Sequence, residues 1–94
     1  MLVQFEWDAR KAQGNRQKHG VSFEEATMAF RDPFAVILDD PDHSEDEERL
    51  ILLGKSPSLG RLLFVSYTER TDAIRLISAR EATRWERPLY EDEP

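Results

Sequence analysis

The 94-residue chain contains no cysteine, which removes disulfides, thiolate nucleophiles and cysteine-ligated metals from consideration. It also lacks a Gly-rich phosphate loop, a GxSxG elbow and a CxxC pair, so phosphoryl chemistry on a bound nucleotide has no motif behind it. Glycine and proline are scarce, four and five residues, and they gather into no linker. Residues 1–94 are therefore expected to form a single domain with one modest core, burying roughly 60–65% of the unfolded chain's surface. No apolar run approaches the length of a membrane span, and the opening MLVQFEWDAR carries acids where a signal peptide has its apolar stretch. The expectation is a soluble, unsecreted protein with no membrane contact, compatible with a reducing cytoplasm.

Charge is present in abundance but unevenly. The net charge is -6, with 13 Lys/Arg against 19 Asp/Glu. Residues 1–48 hold five basic groups and twelve acids, residues 49–88 hold eight and four, and the remaining tail holds three acids. An acidic total argues against broad coating of nucleic acid, whereas the basic segment leaves room for a small RNA site, because a binding site needs only local positive potential. Four arginines fall within RLISAREATRWER, residues 75–87.

Local patterning gives an α+β class. Gln4-Phe5-Glu6-Trp7 alternates as a short strand. Asp8 is a suitable N-cap for a helix to His19, and Gly20 suits the left-handed position that ends it. Ser22-Phe23-Glu24-Glu25 is a capping box opening a second helix, stopped by Asp32-Pro33. FAVIL, RLILLG, RLLFVSYT and AIRLIS then read as four successive strands of an antiparallel sheet, the central ones covered on both faces and the helices lying on one of them. Ser78-Ala79-Arg80-Glu81 is a second capping box, predicting a C-terminal helix from Ala79 onward. At 100° per residue Ala82, Trp85 and Leu89 share its buried side while Arg80, Arg84 and Arg87 face out.

An arginine stripe is the ordinary solvated face of an amphipathic helix. One detail points to an anion instead. Arg80 would sit in the first helical turn, where free backbone N–H groups attract phosphate, with Arg75 just upstream on the strand. Planar guanidinium groups suit phosphate oxygens better than lysine does. Asn15, Lys18 and His19 share one face of the first helix, and Lys18 and His19 are candidates for proton transfer, although a His before a C-terminal glycine is also ordinary capping. Tyr67, Tyr90 and Glu69 are weaker candidates. The run DDPDHSEDEE, residues 39–48, has no EF-hand or His-carboxylate spacing, so neither a metal nor any other cofactor is expected, and a solvated loop is the simpler reading.

Three segments together, FEWDARKAQGNRQKHGVSFEEA, DPDHSEDEERLILLG and YTERTDAIRLISAREATRWER, resemble the BrnT family of bacterial toxins over almost the whole chain. The resemblance implies a compact RelE-like fold, RNA-cleaving activity and a BrnA-type antitoxin that neutralises the toxin, carries the only contact with DNA, and can join it in a heterotetramer. It draws attention to Lys18, His19, Arg70, Arg75, Arg80 and Arg84. The segment departs from the family pattern at Trp85 and Pro88, where more basic residues are usual, and at Thr71-Asp72, where a glycine-containing turn is common. RNA cleavage without a metal needs a base for the 2′-hydroxyl proton, an acid for the leaving oxygen and fixed positive groups for the developing charge. The alternative is a non-catalytic module that uses the arginines and the acidic run to bind another protein.

Overall fold

The Asp8 carboxylate accepts from the backbone N–H groups of Arg10 (2.8 Å) and Lys11 (3.1 Å), which starts helix α1 at Ala9 and runs it to His19. Gly20, at φ 71°, closes it in the left-handed conformation that a residue with a Cβ adopts reluctantly. Ser22 then caps α2, Phe23–Ala29, through its hydroxyl and the Glu25 N–H. The structure, a computed structural model, describes residues 3–40 and 48–91. Most of the acidic run, residues 41–47 with His43, lies outside them.

Strands β1 (Phe5–Glu6), β2 (Val36–Asp39), β3 (Arg49–Lys55), β4 (Leu62–Glu69) and β5 (Ile74–Glu81) form one sheet in the order β1-β5-β4-β3-β2. The four antiparallel strands expected from the sequence are β2 to β5, each paired with its neighbour in the chain. The expectation is corrected in one respect. The opening strand joins the same sheet, parallel to β5 through Phe5 and Ile74, so the sheet is mixed and five-stranded. Such a pairing, 69 residues apart and two residues long, leaves no local pattern in the sequence.

Both helices pack on one face. Val21, Phe23, Ala26 and Ala29 meet Leu52, Leu63, Val65, Tyr67, Leu76 and Ala79 there. Edge-to-face rings extend this core from Phe5 through Phe30 to Tyr67, with centroids 5.1 and 5.0 Å apart. At Gly54 the backbone of α2 comes so close that a Cβ would stand 2.5 Å from the Ala29 carbonyl oxygen. Gly54→Ala is therefore expected to destabilise the fold by about 1–3 kcal/mol, since the obstruction is backbone and cannot swing aside. Urea unfolding checks this, and an unchanged midpoint would contradict the packing.

On the other face Ile51, Leu53 and Leu62 are buried too, as expected for central strands covered on both sides. Residues 82–90 turn back on that side. Ala82 N–H donates to the Leu62 carbonyl, Glu86 pairs with Arg80, and the Tyr90 hydroxyl donates to Asp32. Here the sequence reading is overturned. No helix begins at Ala79, because residues 79–81 continue β5 and pair with Leu63, Phe64 and Val65 of β4. Helix α3 is short, Arg87–Glu91, and Pro88 sits in its first turn, where a missing N–H does no harm. With a turn at residues 84–86, helical periodicity does not apply there. Trp85 and Leu89, expected in the core, are 77% and 53% exposed.

Candidate functional site

Arg75 and Arg80 lie five residues apart on β5, an odd spacing that would place them on opposite faces of a regular strand. They share a face because the register slips between them. Ser66 pairs with Ser78, but Tyr67 pairs with Leu76, so Ile77 is an extra residue, a β-bulge. The bulge lets Leu76 and Ala79 both enter the helix-side core while Arg75, Ser78 and Arg80 turn to the opposite side. Across the sheet, register then sets Arg49, Thr68, Arg75 and Glu6 in one row and Leu53, Phe64 and Arg80 in another, with Ser66 and Ser78 between them.

Each arginine of the site is held. Arg75 Nη1 donates to Glu6 Oε2 at 3.2 Å. Arg80 makes a bidentate pair with Glu86, Nη1 to Oε1 and Nη2 to Oε2, both at 2.8 Å, and Nη1 also donates to the Glu81 carbonyl at 3.1 Å. Its guanidinium carbon stands 4.0 Å from the Phe64 ring centroid, a cation–π contact. The Glu86 bonds raise the Arg80 pKa and hold the Glu86 carboxyl below the ordinary value of 4.5. The Arg80 plane is thus fixed on one face by a ring and on one edge by a carboxylate. Its Nε–H and second Nη2 hydrogen, which together form a side edge, have no partner among the described residues. That edge has the bidentate geometry that suits a phosphate.

The other expected site residues are dispersed. Arg84 is exposed in the 84–86 turn, with its guanidinium carbon 4.6 Å from the Trp85 ring centroid. Arg70 is exposed in the turn between β4 and β5, where its N–H donates to the Ala73 carbonyl. Lys18 and His19 end α1 on the helix side of the sheet, and no hydrogen bond or ion pair joins them to the β5 arginines. Asn15 does not share their surface. It is buried, with Nδ2 donating to the carbonyls of Val21 and Ala79 and Oδ1 accepting from the Ala79 N–H. Tyr67 is a core residue whose hydroxyl is pushed up to about 12 by burial. Tyr90 is likewise pushed up to about 12, by burial and then by its bond to Asp32; it fastens the C-terminal segment. Glu69 is exposed at the end of β4.

Sequence reading missed Glu6, Glu86 and Phe64, the groups that hold the arginines. Only the i, i+6 spacing of Arg80 and Glu86 was visible, and it has no meaning until the turn is known. It also missed Arg61, which binds the buried Glu25 carboxylate through Nε (3.0 Å) and Nη2, donates to the Gly20 carbonyl (3.1 Å) and lies 3.6 Å from Glu81. This clamp ties both helices to the sheet. Arg61 holds the Glu25 carboxyl below its ordinary 4.5. A depressed folded-state pKa contributes stability that is present above the unfolded value and is lost as pH falls through the folded one. Stability is therefore expected to decline as pH drops below about 4.5, and Glu25→Gln should flatten that decline while lowering stability at pH 7. Urea midpoints across the acid range measure both effects, and an unchanged acid slope in the variant would remove Glu25 from the account.

Among the described residues no helix is long and apolar enough to cross a membrane. No curated protein matches the chain. A family model does, described as the ribonuclease toxin BrnT of type II toxin–antitoxin systems, and it covers residues 7–86, a span that begins just after β1 and takes in the capped helices and the whole arginine-bearing strand and turn. The chain belongs to the BrnT family of ribonuclease toxins.

Proposed function

We propose that this BrnT-family chain is a metal-independent endoribonuclease that inhibits growth by cutting RNA in the cytoplasm, on a fold of RelE type, and that a BrnA-type antitoxin neutralises it. The observation that carries the site assignment is Arg80. It is a guanidinium immobilised by Glu86 and Phe64, with one bidentate edge unspent, on the face of the sheet away from α1 and α2. In the reaction the 2′-oxygen attacks the adjacent phosphorus, the bond to the 5′-oxygen breaks, and negative charge grows on the non-bridging oxygens. Pre-positioned donors lower the barrier because they need no reorganisation as that charge develops. Arg75 and Arg80 are separated by five residues of strand, on the order of 15 Å, so they engage different phosphates of the strand and leave the scissile one to Arg80. Arg84 and Arg70 add positive potential along the strand's flanks. Lys18 and His19 end α1, on the opposite face of the sheet from that phosphate, so it is the family resemblance and not the geometry that suggests them for proton transfer.

The antitoxin covers the β5 face in this reading, contributing acidic or apolar groups over the arginines, and contact with DNA belongs to the antitoxin alone. A second reading rests on the same geometry. Glu6 and Glu86 already take donors of Arg75 and Arg80 that phosphate oxygens would otherwise use, which suits a non-catalytic module that binds protein. Incubating purified protein with total RNA, with and without EDTA, separates the two. Cleavage that survives EDTA and stops on addition of the antitoxin is the expected result; intact RNA would leave the binding module as the better account.

A further inference from the structure

Trp85 is the most exposed of the large apolar side chains among the described residues, at 77%, and neither the core nor the arginine clamp needs it. Its surroundings are ordered all the same. Glu86 accepts from the Thr83 N–H at 2.9 Å, the Glu86 and Arg87 N–H groups donate to the Thr83 carbonyl, and the Glu86 carboxylate is the one locked to Arg80. The ring is thus presented from a pinned turn next in sequence to the residue that positions Arg80. Arg84 lies over it at 4.6 Å. While Arg75, Arg80, Arg61 and Arg87 are all paired with carboxylates, Arg84 has none among the described residues, and the ring contact is its interaction.

We propose that Trp85, backed by Arg84, is a stacking platform for an unpaired nucleobase of the RNA substrate, beside the phosphate edge of Arg80. A nucleobase fits this position better than a protein side chain does. The flat indole is exposed, an uncompensated positive charge adjoins it, and a single-stranded polyanion supplies a base for the first and a phosphate for the second. The inference rests on the ribonuclease reading for its substrate.

The test uses a short 2′-O-methyl oligoribonucleotide, which lacks the attacking hydroxyl and so reports binding without cleavage. Trp85→Ala should weaken its binding by roughly five- to a hundredfold, the range for losing one base–aromatic stack, while Trp85→Phe retains most of it. Binding should quench tryptophan emission in the native protein and leave the emission of Trp85→Phe, which keeps the inner Trp7, unchanged. An abasic oligomer of equal length should bind native protein and Trp85→Ala alike. Equal affinity of native protein and Trp85→Ala for the base-bearing oligomer overturns the proposal, as does loss of antitoxin binding with RNA affinity intact, which would make Trp85 a protein-docking residue. Absence of any binding by the native protein overturns it as well. If the native protein binds through Trp85 yet cleaves no RNA, the platform stands and the ribonuclease reading falls; cleavage with no dependence of binding on Trp85 is the reverse.

Discussion

Arg80→Ala is expected to reduce RNA cleavage by roughly a hundredfold, in the range for removing one charge-stabilising donor. The fold should change less but not negligibly. Arg80 is about one-third exposed, it stacks on Phe64, and its removal leaves Glu86 with the backbone and side chain of Thr83 as its described partners. A stability loss of about 0.5–1.5 kcal/mol is reasonable for a partly screened pair plus a cation–π contact. Arg80→Lys should recover little cleavage, because an ammonium cannot hold both Glu86 oxygens and still offer a second planar edge. Glu86→Ala provides the internal control. It leaves the guanidinium present but free to rotate, so the rate should fall by less than in Arg80→Ala while the melting temperature falls by a comparable amount. Cleavage rates beside thermal melts for the three variants decide the matter. Arg80→Ala cutting RNA within about twofold of native protein would exclude this residue from charge stabilisation, since a donor doing that work contributes far more.

How these arginines come to share a face was not legible in the sequence. Ser78-Ala79-Arg80-Glu81 has the composition of a helix start, yet hydrogen bonding across to β4 keeps these residues extended; tertiary pairing outweighs a local preference of a few tenths of a kcal/mol per residue. The bulge at Ile77 is equally invisible, since it is fixed by the need to bury both Leu76 and Ala79 against α1 and α2 and not by any local motif. Where the determinants are local, the reading succeeds. Asp8, Gly20 and Ser22 act within a few residues of themselves and mark the helix ends correctly. Glu25 shows the boundary between the two regimes. Its N–H meets the Ser22 hydroxyl as a capping box requires, but its carboxylate leaves the box for Arg61, 36 residues away. The arginines could therefore be named from sequence, while their partners, and so which edge of each remains for a ligand, required the fold.

Asn15→Ala is expected to be the most destabilising single change, although nothing about a polar residue on a polar helix announces it. Strand β1 covers β5 only at Ile74 and Arg75, which leaves the outer edge of β5 uncovered by a strand further along. At Ala79 the Asn15 side-chain amide takes the place of a strand. It donates to the Ala79 carbonyl at 2.8 Å and accepts from the Ala79 N–H at 3.0 Å, as a peptide group would, and its second donor hydrogen reaches the Val21 carbonyl at 3.0 Å. Alanine would remove all three bonds and leave three buried backbone groups without partners, at about 1–3 kcal/mol each before relaxation. A net loss of about 3–5 kcal/mol follows, a large share of the roughly 5–15 kcal/mol that holds a domain together. Asn15→Asp should fare no better at neutral pH, because a carboxylate keeps the acceptor for the Ala79 N–H but opposes two carbonyl oxygens with negative charge. Urea unfolding at pH 7 measures both variants. A loss under about 1 kcal/mol for Asn15→Ala would mean that water enters and satisfies the β5 edge in place of the amide, and that α1 is held to the sheet by its apolar contacts alone.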